Sequence, residues 1–163
     1  MKKLIICGLT MVFTLSLVIV FAGCSSPVTP SGQVPGTSFD SNGQRIYFTA
    51  SSSSGEPISY TGSIRMMHTI TCVNCHGPAG EGGTVYMMMQ SFDVPNITWS
   101  HLTEEEHEEE EHEEHPPYTE DTVKRAITQG IDPAGEPLDE FMPRWQMSSQ
   151  DLNDLVDFIK TLQ

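Results

Sequence analysis

Positive charge is scarce: the 163-residue chain holds eight Lys and Arg against 22 Asp and Glu, a formal net charge of −14. Two of the eight are Lys2 and Lys3, so the sequence after residue 23 sets 22 acids against six bases. Binding a phosphate backbone needs clustered Lys and Arg that release counterions, and after the N-terminus the only adjacent basic pair is Lys124-Arg125. No nucleic-acid partner is expected. Apolar residues are also few, at 37% hydrophobic and 8% aromatic, which leaves room for a cofactor to supply part of the buried area. The four cysteines (Cys7, Cys24, Cys72 and Cys75) can be assigned without a disulfide. Strand-like alternation and internal repeats are not found. Nor is any Ser/His/Asp or paired-carboxylate arrangement, so the chain is not expected to be an enzyme.

At the N-terminus, Lys2-Lys3 precede an uncharged apolar run from Leu4 to Phe21, followed by Ala22-Gly23-Cys24. Small residues before a cysteine at the end of such a run resemble the lipobox of bacterial lipoproteins, in which the cysteine is acylated and becomes residue one after cleavage. Phe21 stands where that pattern usually has Leu. The other reading is an uncleaved membrane helix, for which the run is just long enough. Either way the domain is expected to be exported and tethered, facing the periplasm or the cell exterior. Residues 1–23 read as a lipoprotein-type signal peptide with Cys24 as the lipidation site, and 24–41, rich in Pro, Gly and Ser, as a flexible tether.

Residues 42–163 read as one domain. Ile46, Tyr47 and Ala50 suggest a short amphipathic helix ended by the Ser51–Gly55 run. Thr119 caps a second helix with Glu120 and Asp121 in its first turn, Val123, Ala126 and Ile127 as its buried stripe, and Gly130 past its end. Ser148 and Asp151 form the capping box of a third, in which Leu152, Leu155, Val156, Ile159 and Leu162 recur at helical spacing.

Cys72-Val73-Asn74-Cys75-His76 is C-x-x-C-H, the attachment signature for c-type haem. Two thiols separated by two residues can reach both vinyl groups of one porphyrin as thioethers, with the adjacent histidine beneath the iron. A thioredoxin-like pair would want a βαβ context, and a zinc site a second Cys pair; both are missing. Met142-Pro143 is the candidate for the second axial ligand, because it follows the Gly130–Pro137 loop and precedes the last helix, free of helical commitment. Met147 directly precedes Ser148 and reads as a hydrophobic staple toward Leu152.

These residues, with Asn42-Gly43 to Tyr47, Gly77, Gly80 to Gly83, Pro95-Asn96-Ile97-Thr98, Gly130-Ile131, Arg144-Trp145 and the last helix, resemble the class I monohaem cytochromes c over roughly residues 42–163. The resemblance implies an all-α, cytochrome c-like fold wrapped around one covalently bound haem c, with the first and last helices crossing beside it. It also implies His76 as proximal and Met142 as distal iron ligand, and a carrier of single electrons between redox partners. Pro95 matches the position whose carbonyl accepts a hydrogen bond from the proximal imidazole. Arg144 and Trp145 read either as donors to the haem propionates or as a surface Arg and a core Trp. About two dozen residues separate Tyr47 from Cys72, more than in compact members, which leaves the packing of the first helix on the last open.

Residues 101–115 hold nine Glu and four His. Glu104/His107 and Glu109/His112 have spacings that can bind divalent metals, but mutual repulsion favours a solvated insertion that steers a basic partner. Met66-Met67 and Met87-Met88-Met89 read as lining of a porphyrin pocket. Two other functions stay open: a haem-based sensor or small-ligand binder in which Met142 is displaced, and a metal-binding module built on the His/Glu segment.

Overall fold

The computed structural model describes residues 38–63, 70–87, 89–104 and 115–163. The segment expected to be a signal peptide (1–23), Cys24 and most of the expected tether, Met66-Met67, Met88, His107, Glu109 and His112 lie outside the described residues, as does the side chain of Met87.

Among the described residues five helices and four short strands follow in the order α1 (Asn42–Thr49), β1 (Ser59–Thr61), α2 (Cys72–His76), β2 (Gly83–Met87), β3 (Gln90–Val94), α3 (Trp99–Thr103), α4 (Glu120–Gln129), β4 (Arg144–Gln146) and α5 (Ser149–Ile159). The helices form where capping chemistry allows. Ser41 Oγ accepts from Gln44 N at the start of α1, Thr119 Oγ1 from Thr122 N at α4, and Ser148 Oγ from Asp151 N at α5. At α5 the Asp151 carboxylate also takes the Ser148 hydroxyl, at 2.7 Å.

Helix α1 packs across α5, which resolves the question left by the long segment before Cys72. The crossing is closest at Gly43, where a Cβ would fall 1.8 Å from the Asp154 carbonyl oxygen, so no larger residue fits. Around it Ile46, Tyr47, Leu155 and Val156 are fully buried, each worth about 2 kcal/mol of transfer free energy. Phe158 completes the seam against Tyr47 and Phe48, with ring centroids 5.3 and 6.3 Å away.

Two antiparallel ribbons, neither signalled by alternation, join this helical frame. One is the β2–β3 hairpin; the other pairs β1 with β4 in the register Tyr60↔Trp145 and Thr61↔Arg144. A repeat absent from the sequence pattern is also visible in the hydrogen bonds. After α1, Ala50 N donates to Ile46 O, Ile58 N to Ala50 O, Ser52 N to Glu56 O and Gly55 N to Ser52 O. After α4 the same four bonds recur as Gly130 to Ala126, Leu138 to Gly130, Asp132 to Glu136 and Gly135 to Asp132. Each turn carries Gly-Glu-Pro, at Gly55–Pro57 and at Gly135–Pro137. Finally, Tyr118 N donates to Leu102 O at 2.8 Å, clasping the end of α3 to the segment that enters α4.

Candidate functional site

Helix α2 is five residues long and is held by a local device: Asn74 Oδ1 accepts both the Thr71 N–H (2.9 Å) and the Thr71 hydroxyl (2.7 Å). Helical spacing puts Cys72, Cys75 and His76, at i, i+3 and i+4, on one face. All three line a cavity of about 1130 Å³. The end of α2 is fixed from three sides. Tyr47 Oη, from α1, donates to Gly77 O at 2.6 Å; Gly82 N donates to His76 O at 3.0 Å; and Gly77 N donates to Val73 O at 3.1 Å.

The His76 ring is buried, and its Nδ1 lies 3.1 Å from Pro95 O at the exit of β3. A carbonyl can only accept, so Nδ1 carries the proton and the lone pair is on Nε2. Burial lowers the His76 pKa and outweighs the opposing effect of the Pro95 hydrogen bond, so the ring is neutral, the form that ligates a metal. Burial also pushes the Cys72 thiol up to about 12 and raises Cys75. A thioredoxin-like nucleophile needs the opposite shift.

Met142, on the loop between α4 and β4, lines the same cavity, as do Pro95 and the buried Trp145, whose ring packs on Tyr60 at 5.0 Å. Among the described residues Met142 is the one methionine on the wall. Met147 packs against the core and borders a different cleft, and Met89 is fully exposed at the hairpin tip, so it does not line the pocket as expected. Arg144 does not line the cavity; its guanidinium is engaged by the carbonyls of Leu138, Asp139 and Met142. The remaining walls are mainly apolar, from Ile70, Val94, Ile97, Val123, Ile127, Phe141 and Leu155.

The cytochrome c family model matches residues 41–163. The chain belongs to the cytochrome c family. Neither a curated protein nor a solved structure matches it. As a cytochrome c it is a haem-binding electron-transfer protein whose haem c is covalently attached. The residues present fit that group: two partly buried thiols on one helical face, a neutral imidazole with its Nε2 lone pair available, a thioether, and a largely apolar cavity at the large end for a small-molecule site.

Several contributors escape sequence reasoning. His101 and His115, the two ends of the His/Glu segment, both return to the cavity, as does Tyr118, against which His115 packs edge-on at 5.1 Å. His115 Nδ1 is 3.0 Å from Pro116 O. Burial, with Asp132 nearby, raises Tyr118 to about 12. Arg125, which does not itself line the cavity, donates to the carbonyl of Asp132, which does, and its Nε is buried without a partner among the described residues. The only trace of these in the sequence is that His101 and His115 bracket the acidic run. No group of three or more His, Cys, Asp or Glu that could hold a metal ion occurs among the described residues.

Proposed function

We propose that this cytochrome c is an exported, membrane-tethered carrier of single electrons. In this reading Cys72 and Cys75 would hold the haem through thioethers, His76 Nε2 and the Met142 thioether would bind its iron, and Lys2 to Cys24 would direct export and lipidation. The observation that carries it is one cavity lined by the C-x-x-C-H face, by the carbonyl that orients its imidazole, and by a single described methionine. When bound, the haem supplies a reversible one-electron couple at its iron.

The chain's own residues set the conditions for that couple. Pro95 holds the His76 ring and its tautomer. The apolar walls exclude water, and a thioether suits low-spin iron in either oxidation state. The absence of any Lys or Arg between Arg65 and Lys124, a stretch that includes α2, the hairpin and the His/Glu segment, supports a redox partner with a basic docking face. A tether of this composition reaches about 20 Å as a coil and roughly 55 Å when straight, enough to search for such a partner near the membrane.

Two measurements test the reading. In the matured holoprotein, Met142→Ala removes the red-region sulfur-to-iron charge-transfer band of the oxidised form, lowers the potential and opens the reduced iron to carbon monoxide, whereas Met147→Ala mainly costs stability. A band that survives Met142→Ala rejects Met142 as ligand. For the tether, mass spectrometry of the exported protein finds an acylated N-terminus at Cys24, and Cys24→Ser leaves an unlipidated precursor; an intact, unmodified N-terminus on the wild type rejects lipidation.

A further inference from the structure

Residue 144 opens β4, and its side chain turns back over the loop that carries Met142. Arg144 Nη1 donates to the carbonyls of Asp139 (3.0 Å) and Met142, and Nη2 to that of Leu138 (2.8 Å). Three carbonyls of a five-residue loop thus converge on one planar cation, an arrangement suited to the fixed fork of a guanidinium and not to the single point of an ammonium.

The fork has a seat. A Cβ at Gly130 would fall 1.8 Å from Arg144 Nε and 2.1 Å from Cζ. Gly130 is also the left-handed C-cap of α4, with φ of 68°, and its carbonyl accepts from Leu138 N at 2.8 Å. One glycine therefore ends the helix, ties the start of the loop and leaves space for the guanidinium. Within the loop, Phe141 N donates to Asp139 Oδ1 (2.8 Å) and Met142 N to Asp139 O (3.1 Å). The base of the arginine is held by the pairing of β4 with β1. Of the residues so bound, Leu138, Asp139, Phe141 and Met142 line the cavity.

We propose that Arg144 is a positioning residue for Met142: its guanidinium, seated on Gly130, fixes the backbone of residues 138–142 and so holds the Met142 thioether at one point on the cavity wall. This rests on the reading of Met142 as the distal ligand. It assigns Arg144 a task away from the haem propionates, and it makes Gly130 part of the same device although it lies twelve residues upstream of the methionine.

The test uses the holoprotein with haem attached and two variants of opposite chemistry. Arg144→Lys keeps the charge and loses the fork; Gly130→Ala keeps the arginine and fills its seat. In both, the sulfur-to-iron band of the oxidised form weakens and disappears on heating well before the helices melt by circular dichroism. Carbon monoxide binds the reduced variants about tenfold faster, since access scales with the fraction of molecules whose thioether is off its point. If Arg144→Lys matches the wild type in band and carbon monoxide rate, or if band and helices melt together in both variants, the positioning role is overturned and Arg144 is only structural. Met142→Ala separates the two claims: a band that persists there sinks the ligand reading, whereas a band lost there and untouched in Arg144→Lys sinks only the clamp.

Discussion

Asp151 sits among three donors from three parts of the chain. Asn42 Nδ2 (2.9 Å) and Ser52 Oγ (2.7 Å) reach its Oδ1, and Ser148 Oγ (2.7 Å) reaches its Oδ2, while Asn42 also bonds Asp154 at 2.7 Å. Burial alone would raise the Asp151 pKa; the hydrogen bonds from Asn42, Ser148 and Ser52 together outweigh it and hold the carboxyl below its ordinary value. A carboxylate depressed in the folded state stabilises fully above its unfolded pKa, and that contribution is lost as the pH falls through the folded value. Asp151→Asn is therefore expected to cost about 1 kcal/mol at neutral pH. The deficit shrinks below the ordinary aspartate range of about 3.9, until the two proteins unfold alike in strong acid. Urea titrations at several pH values read this out, and a deficit that persists undiminished at low pH rules the account out.

Among the elements, legibility follows sequence distance. The starts of α4 and α5 are readable because a capping side chain and the N–H it satisfies lie three residues apart. The C-x-x-C-H face is readable for the same reason. Strands β1 and β4 have three residues each and pair across more than eighty residues, too short for alternation to register. The twin turns after α1 and α4 are built from backbone bonds, so they tolerate Ser51–Ser54 in one copy and Ile131–Ala134 in the other, and only Gly-Glu-Pro is shared. Arg144 is conspicuous beside Met142 in the chain, yet its partners are main-chain carbonyls and a glycine seat, neither of which composition signals. Tyr47 reads as core from its spacing, and it is fully buried, but its hydroxyl bond to Gly77 depends on how α1 lies over α2.

At the scale of the molecule, charge and chemistry are carried by separate parts. Residues 105–114 contain eight Glu, two His and no Lys or Arg, while the cavity is built mainly from α2, the hairpin, α4 and the Met142 loop. Deleting 105–114 is expected to leave the visible spectrum and the potential nearly unchanged. The same deletion slows electron exchange with a cationic partner roughly tenfold at low salt, with the difference fading at high ionic strength. Loss of the native spectrum would mean that the segment helps to build the pocket. The separation depends on the bond between Tyr118 and Leu102, which joins the two flanks of the acidic run directly. Because the entropy of closing a loop grows only with the logarithm of its length, the stretch between the clasped ends can lengthen, shorten or change sign at little thermodynamic expense. If the deletion behaves as expected, encounter rate and redox chemistry would be separately heritable traits in this chain, the first open to change by editing one run of codons while the second is passed on untouched.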